Sequence, residues 1–297
     1  MRSDIAFKSN GVTCRGWLYR PEGAKGATPA IVMSHGFSAV KEMGLAEFAE
    51  GFCRAGFIVM AFDYRFLGAS DGTPRGRIIP AEQHEDLRAA LDWISVQPGV
   101  DPARIGMWGS SYAGGHSIFI GAYDPRVKVV VAQVPAMDPG HAMRATAGKE
   151  GFDAYLQMLV ADHAARNAGK PAGEIAIVAP PGEPCILSTP DSYEWFQRST
   201  VAKAPTWLNR TSLESVARLI EYAPANVIDF IAPKPLLVIA ATDDSLIPIA
   251  EMRKAFARAG EPKKLAELKA GHFDLYPGER CHDEAAGLAT DWFKTHL

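Results

Sequence analysis

Short apolar runs alternate along this chain with longer segments in which apolar residues recur at helical spacing. Runs that are apolar on both faces are typical of parallel strands covered by helices, because neither side of such a strand meets water. The alternation predicts an α/β protein with a mostly parallel central sheet, flanked by helices and connected by right-handed crossovers. The apolar runs are Ala30–Met33, Phe57–Phe62, Arg104–Trp108, Val127–Val134 and Leu236–Ala240.

Amphipathic segments lie between and after these runs. In residues 43–54, Phe48 and Phe52 fall on one stripe of a helix, as expected for a helix that covers a sheet. An N-terminal pair around Ile5–Phe7 and Thr13–Tyr19 is expected to add antiparallel edge strands. The other helical patterns occupy residues 80–97, 248–259 and 284–297.

Composition limits the class of function. The 297 residues are 47% apolar and 22% charged, with a formal net charge of −3 and no Lys/Arg-rich run. We therefore expect neither a nucleic-acid nor a membrane partner, since both attract basic surfaces. The longest apolar stretch is broken by Lys128 and Gln133. It is far shorter than the roughly 18 residues that a membrane-spanning helix needs.

Two further features indicate the cytoplasm. The N-terminus reads MRSDIAFKSNG and has no apolar segment typical of a signal peptide. The cysteines lie far apart, as thiols of a reducing compartment do, at Cys14, Cys53, Cys185 and Cys281. No histidine belongs to an HExxH or similar set, so we expect no metal and no cofactor. The sequence leaves open whether the chain acts alone or as a homodimer.

The alternation of strands and helices stops between about residues 136 and 230. Phe152, Tyr155 and Leu159 recur there at helical spacing, and residues 179–184 form a break rich in proline and glycine. Helices inserted between two core strands suggest a lid over a site. The alternative is a peripheral helical layer without function.

The predicted organisation is therefore an α/β core at residues 1–135 and 231–297, with a helical lid inserted at residues 136–230. The insert follows one core strand and precedes another. We expect both of its ends to emerge at the edge of the sheet where the site residues gather, so that the insert covers the site.

Residues 106–115, which read GMWGSSYAGG, join an apolar run to a helical pattern. A nucleophilic serine at such a strand-to-helix turn has strained dihedral angles, so the residues two before and two after it must be small. Around Ser111 these residues are Gly109 and Ala113. Ser111 is therefore the predicted nucleophile.

The neighbouring Ser110 does not meet this requirement. The corresponding positions hold Trp108 and Tyr112, whose side chains would clash in the turn. Ser110 is therefore expected to support the turn rather than to react. A Gly/Ser turn without catalytic use is the alternative to both assignments.

A serine hydroxyl becomes a good nucleophile only beside a base that an acid orients. Asp243 and Asp244 follow one predicted strand, and His272 follows another at residues 265–268. Both sites lie at carboxyl ends of strands, where an open parallel sheet gathers its site residues. Of the eight histidines, only His272 has a glycine before it, a strand upstream and a single helix after it. Asp138 is a third candidate for the acid.

Together these residues resemble the α/β-hydrolase superfamily, whose site residues follow the order serine, acid, histidine. More narrowly, they are similar to the branch of dienelactone-hydrolase-like and Xaa-Pro-dipeptidyl-peptidase-like proteins, near bacterial esterases and fungal polyketide transferases or thiohydrolases. The resemblance covers nearly the whole chain. It rests on Ser34–Phe37, Phe62–Arg65, Gly68–Gly72, Gly109–His116, Asp244–Pro248 and Gly271–Asp274.

The resemblance implies a catalytic triad of Ser111 as nucleophile, His272 as general base and an aspartate. In the family the acid usually lies four residues before a proline that opens the next helix. That spacing to Pro248 selects Asp244 over Asp243.

The resemblance also implies an oxyanion hole formed by the backbone N–H groups of Phe37 and Tyr112. One such donor contributes about 2.7–4 kcal/mol to transition-state stabilisation. Phe37 would act through its amide, which leaves its side chain free to line the acyl pocket.

We therefore expect a serine hydrolase that cleaves carboxylic esters or thioesters of small molecules through an acyl-enzyme. An acyltransferase and an amidase or peptidase are alternatives within the same chemistry, and a non-catalytic binding protein is an alternative outside it. The apolar side chains of the insert exceed what a thin solvated layer needs, so an apolar or aromatic substrate is expected. The candidates for substrate binding are Tyr155, Trp195 and Trp207.

Overall fold

Eight strands form the central sheet of this computed structural model, which describes residues 1–23, 26–200 and 203–297. In chain order, the strands of the described residues are β1 (Arg2–Ser9), β2 (Val12–Tyr19), β3 (Thr28–Ser34), β4 (Ile58–Asp63), β5 (Val100–Ser110), β6 (Val127–Gln133), β7 (Glu174–Ile175), β8 (Thr211–Ser212), β9 (Leu236–Ala241) and β10 (Lys263–Leu268), of which all but the short β7 and β8 belong to this sheet. The order in the sheet is β1-β2-β4-β3-β5-β6-β9-β10, and β7 pairs with β8 outside it.

The sheet is mostly parallel, which confirms the predicted fold class. From β4 to β10, neighbouring strands pair in parallel. The N-terminal hairpin of β1 and β2 joins antiparallel to β4, as the sequence predicts. The carboxyl ends of the parallel strands therefore share one edge of the sheet.

Helices cover both faces of the sheet, and alternate strand residues pack against each layer. In β3, Ile31 and Met33 belong to the core shared with α1 and α8, whereas Ala30 and Val32 belong to the core shared with α2, α3 and α7. This explains why the strands read as continuous apolar runs. The helices are α1 (Leu45–Arg54), α2 (Pro80–Ser95), α3 (Tyr112–Tyr123), α4 (Pro139–Asn167), α5 (Pro190–Thr200), α6 (Leu213–Ile220), α7 (Ile249–Arg258) and α8 (His282–His296).

The segment between β6 and β9 holds α4, α5, α6 and the β7–β8 pair. Because β6 and β9 are parallel neighbours, the segment leaves at the carboxyl edge of the sheet and returns at the opposite edge. The expectation that both ends emerge at the same edge is therefore wrong. Residues 201–202 of the predicted insert lie outside the described residues.

The return path of this segment runs along α3. A 3₁₀ helix at Pro224–Phe230 packs so closely there that a Cβ atom on Gly115 would lie 2.9 Å from Cγ of Pro224. At the other end of the segment, α4 is broken at Gly148, which has a φ of 69°. Among the described residues, no helix is both long enough and apolar enough to cross a membrane.

Candidate active site

The turn between β5 and α3 holds Ser111 in a strained conformation, with φ of 59° and ψ of −123°. Non-glycine residues rarely adopt such angles, and they concentrate at functional sites. The turn also requires the glycine at position 109, because a Cβ there would lie 2.2 Å from the carbonyl oxygen of Ala113. The amide of Ser111 donates to the carbonyl of Gln133 at 2.8 Å, which fixes the turn against β6. Residues 109–113 are called the serine turn below.

The two serines of this turn have different surroundings. Ser110 is buried, and its hydroxyl accepts a hydrogen bond from Nε2 of Gln133 at 3.1 Å and donates one to the hydroxyl of Tyr276 at 2.9 Å. Ser111 is partly exposed and lines two adjoining cavities. Only Ser111 therefore offers an accessible hydroxyl.

His272 begins the 3₁₀ helix His272–Leu275 after β10, and its ring is held by Asp244. Nδ1 of His272 lies 2.7 Å from Oδ2 of Asp244, and both side chains are buried. Oδ1 of Asp244 accepts hydrogen bonds from the amides of Leu246 at 2.9 Å and Ile247 at 2.8 Å, so the carboxylate is fixed. Since an ionised carboxylate can only accept, we assign the proton to Nδ1, which leaves Nε2 of His272 able to act as a base.

The other two candidate acids lie elsewhere. Asp243 is exposed and its carboxylate accepts from the hydroxyl of Thr242 at 3.4 Å. Asp138 caps the N-terminus of α4 by accepting a hydrogen bond from the amide of His141 at 2.9 Å. The structure therefore brings Asp244, and neither of the others, to His272.

Tyr112 belongs to the serine turn, and Phe37 lies beside it. Tyr112 is the first residue of α3, where helical geometry supplies no acceptor for the amide. Gly36 lies against the turn, since a Cβ built on it would be 3.4 Å from Cβ of Ser111. The next residue, Phe37, packs its ring edge-on against Tyr112 with centroids 5.4 Å apart. Phe37 and Tyr112 therefore both lie close to Ser111.

His35 stabilises the turn that carries Phe37. Its Nδ1–H donates to the carbonyl of Gly36 at 3.0 Å, and its ring packs edge-on against Tyr64 at 4.9 Å. Burial lowers the pKa of His35 below its usual value, so the ring stays neutral at physiological pH.

The two cavities meet at Ser111 and have different walls. The first, called the large cavity, encloses about 940 Å³ of empty space when the space open to solvent is included; its wall is mostly apolar and includes Met137, Ala142, Met143, Leu219, Leu246 and Ile247. The second, called the histidine-side cavity, encloses about 500 Å³ on the same basis and is lined by His272 together with Met43, Trp195, Phe196, Phe273 and Tyr276.

The three predicted substrate-binding residues occupy different places. Tyr155 lines the large cavity, and its hydroxyl donates to the carbonyl of Cys185 at 3.0 Å. Trp195 lines the histidine-side cavity, where it stacks on Phe273 with centroids 5.0 Å apart. Trp207 lines neither cavity. It packs against Phe196 at 5.4 Å, and Phe196 itself forms the wall.

A buried polar cluster behind the serine turn was not predicted from the sequence. Nδ1 of His116 lies 3.0 Å from Nε2 of His84 and 2.9 Å from the hydroxyl of Tyr222. Nε2–H of His116 donates to Oε1 of Gln83 at 3.1 Å. Burial lowers the pKa of His84 to about 3 and that of His116 well below its usual value. The cluster joins α2, α3 and the end of the insert.

The chain is similar to known proteins over most of its length. Residues 10–218 match the family described as X-Pro dipeptidyl-peptidase (S15 family). The chain is 32% identical over 294 residues to the polyketide transferase ATR5 of Stachybotrys chlorohalonatus, covering 94% of this chain and 92% of that protein. It is 30% identical over 280 residues to the thiohydrolase apmlB of Arthrinium phaeospermum, covering 91% and 89%.

A solved structure is similar over the whole chain. The α/β hydrolase GrgF from Penicillium superposes with a TM-score of 0.85 at 27% identity, covering 100% of this chain and 99% of that one. The match agrees with the mostly parallel sheet flanked by helices. The chain is thus an enzyme of the α/β-hydrolase type.

Proposed function

Because the chain belongs to the X-Pro dipeptidyl-peptidase (S15) family of α/β hydrolases, we propose that it is a serine hydrolase of carboxylic esters or thioesters. One arrangement carries the proposal. Ser111 lies at a strained turn that opens into the cavity lined by His272, and Nδ1 of His272 is bonded to Asp244. A strained serine beside an oriented base is what acyl transfer requires.

In the proposed mechanism, Nε2 of His272 accepts the proton of Ser111 as Oγ attacks the carbonyl carbon. Asp244 stabilises the resulting imidazolium, and the amides of Phe37 and Tyr112 donate to the oxyanion. Collapse of the tetrahedral intermediate expels the alcohol or thiol, which takes its proton from His272. Water then attacks the acyl-enzyme by the same steps and releases the acid.

The insert, residues 136–230, is proposed to act as the lid of this site. Its helix α4 supplies part of the wall of the large cavity, and its helix α5 supplies part of the wall of the histidine-side cavity. The large cavity is mostly apolar, and its two carboxylates, Asp138 and Glu251, disfavour anionic substrates. We therefore expect neutral, apolar or aromatic acyl groups. The four free, buried cysteines support a reducing location, for which we propose the cytoplasm.

A fluorophosphonate probe tests the proposal directly, because it modifies only an activated serine. We expect labelling of the wild type and none of Ser111→Ala, with turnover of p-nitrophenyl esters reduced by about 10⁶-fold. Ser110→Ala is the matched control and should retain labelling and lose no more than about tenfold, since it removes hydrogen bonds and not the nucleophile. Absence of labelling in the folded wild type would contradict the proposal.

Acyl transfer is a second candidate function. The observation that favours it is the similarity to ATR5, a polyketide transferase, together with the apolar wall of the histidine-side cavity, where an organic acceptor could replace water. Product analysis with added alcohols or amines distinguishes the two: a transferase forms a new ester or amide at the expense of the acid. Anilide substrates in the same panel test the amidase or peptidase alternative.

A further inference from the structure

The proposed function assigns a side of the site to each part of the substrate. His272 must protonate the departing group, so that group must lie within hydrogen-bond reach of Nε2. The histidine-side cavity is lined by both Ser111 and His272, whereas the large cavity is lined by Ser111 without His272. The leaving group therefore occupies the histidine-side cavity, and the acyl group occupies the large cavity.

A chain of hydrogen bonds ends at the wall of the leaving-group side. Nε2 of Gln133 donates to Oγ of Ser110 at 3.1 Å, and an amide NH₂ can only donate. The single proton of Ser110 then goes to the hydroxyl oxygen of Tyr276 at 2.9 Å. In this series of hydrogen bonds the hydroxyl oxygen of Tyr276 is thus an acceptor, and the hydroxyl proton of Tyr276 takes no part in the series.

The hydroxyl of Tyr276 is fixed and stays protonated. Both Ser110 and Tyr276 line the histidine-side cavity, and their hydroxyl oxygens lie 2.9 Å apart. The ring packs against Trp195 at 4.9 Å and Phe273 at 5.8 Å, which limits its rotation. Burial raises the pKa of Tyr276 well above its usual range, so the group remains a donor at every working pH.

We propose that Tyr276 is a further catalytic residue, which donates a hydrogen bond to the leaving-group oxygen of an ester. In the step it assists, the bond between the acyl carbon and the alcohol oxygen breaks, and the proton from Nε2 of His272 moves to that oxygen. Tyr276 keeps its proton throughout and stabilises the negative charge that develops before protonation. The inference rests on the proposed function and deepens it.

The proposal narrows the substrate class to oxygen esters with poorly acidic alcohols. An alkoxide needs such a donor most, because it is the most basic leaving group. A p-nitrophenolate leaves readily without help. A thiolate sulfur accepts hydrogen bonds weakly, so a thioester gains little from Tyr276.

The test compares esters that share one acyl group and differ in the leaving group: an alkyl ester, a p-nitrophenyl ester and an alkyl thioester. In Tyr276→Phe, we expect kcat/KM for the alkyl ester to fall by about tenfold, the value of one hydrogen bond. The p-nitrophenyl ester and the thioester should each change by less than about threefold. The isosteric phenylalanine keeps the ring packing, and thermal unfolding of the variant verifies its fold.

Two control variants separate a catalytic from a structural role. Tyr64→Phe removes another buried hydroxyl, outside both cavity walls, and should leave all three substrates at wild-type rates. Ser110→Ala leaves the O–H group of Tyr276, the proposed donor to the leaving group, in place. The ratio of alkyl-ester to p-nitrophenyl-ester activity should therefore stay within about threefold of the wild type.

Several outcomes overturn the inference. An equal loss on all three substrates in Tyr276→Phe would assign Tyr276 a structural role, and no loss on any would assign it none. If the wild type is not labelled by a fluorophosphonate, the proposed function and this inference fail together. Normal labelling with an unchanged leaving-group ratio in Tyr276→Phe overturns this inference alone.

Discussion

Nδ1 of His272 lies 2.7 Å from Oδ2 of Asp244, and the other oxygen of that carboxylate is held by two backbone amides. The imidazole therefore has one orientation, set by a carboxylate that cannot rotate. Neutral Asn in place of Asp244 would keep the size of the side chain and lose the charge that stabilises an imidazolium.

We expect Asp244→Asn to lower kcat by about 10³–10⁴-fold with little effect on folding. Asp243→Asn and Asp138→Asn are the matched controls, because neither carboxylate contacts His272. Steady-state kinetics on a p-nitrophenyl ester measures all three. A loss in Asp138→Asn as large as that in Asp244→Asn would contradict the assignment of the acid.

Gly109→Ala should unfold the serine turn locally, since the added Cβ would meet the carbonyl oxygen of Ala113 at 2.2 Å. We expect a decrease of about 1–3 kcal/mol in the free energy of unfolding, together with loss of fluorophosphonate labelling. Gly287→Ala in α8 is the control, because a Cβ there meets no atom within 4 Å. Urea denaturation should show that control to be neutral or slightly stabilised, and equal destabilisation of the two would refute the steric argument.

The buried histidines predict how stability depends on pH. Burial lowers the pKa of His84 from 6.5 to about 3, so the unfolded chain binds a proton there that the folded chain does not. The free energy of unfolding is therefore highest, as far as His84 is concerned, above pH 6.5, and it decreases progressively as the pH falls towards 3. The slope reaches about 1.4 kcal/mol per pH unit for each such histidine.

His84→Gln removes one titrating group from this cluster while leaving an amide that can form hydrogen bonds. We expect the free energy of unfolding of the variant to fall less steeply than that of the wild type between pH 6.5 and pH 4, measured by urea denaturation at each pH. The absolute stability of the variant is not the readout, because the substitution also changes packing. Identical slopes would show that His84 titrates normally in the folded protein.

The two cavities predict separate effects on the two parts of a substrate. Tyr155→Ala enlarges the large cavity and should raise the kcat/KM of long-chain relative to short-chain acyl esters by about tenfold. Trp195→Ala should instead broaden the range of leaving groups, since Trp195 lines the other cavity.

Trp207→Ala is the control for both variants, because Trp207 lies behind Phe196 and lines neither cavity. It should lower stability and leave both preferences unchanged. A panel of p-nitrophenyl esters of increasing chain length and acetyl esters of different alcohols measures the two effects. A shift in acyl preference in Trp195→Ala, with none in Tyr155→Ala, would reverse the assignment of the cavities.

The strands and the serine turn could be predicted because their signals are local. Ile31 and Met33 alternate with Ala30 and Val32 between two cores, which produces an apolar run visible in the sequence. The small residues that the serine turn requires, Gly109 and Ala113, also lie within two positions of Ser111. These patterns require no knowledge of distant contacts.

Contacts between distant residues could not be predicted in this way. Tyr222 meets His84 across 138 positions and Ser110 meets Tyr276 across 166, and neither pair has a pattern of its own. Tyr276 follows His272 by four positions, which is the one signal that could have drawn attention to it. The position of Trp207 behind Phe196 depends on how α5 and the following loop pack, which helical spacing does not specify.

The course of the insert along α3 has a mechanical consequence. Pro224 packs closely against Gly115, and the hydroxyl of Tyr222 forms a hydrogen bond with Nδ1 of His116. The end of the insert is therefore attached to α3, the helix that begins at the serine turn. Swinging the whole insert outward would pull on that helix and distort the turn. We therefore expect substrate to enter by bending within α4, where Gly148 already interrupts the helix, while the fastened end stays still.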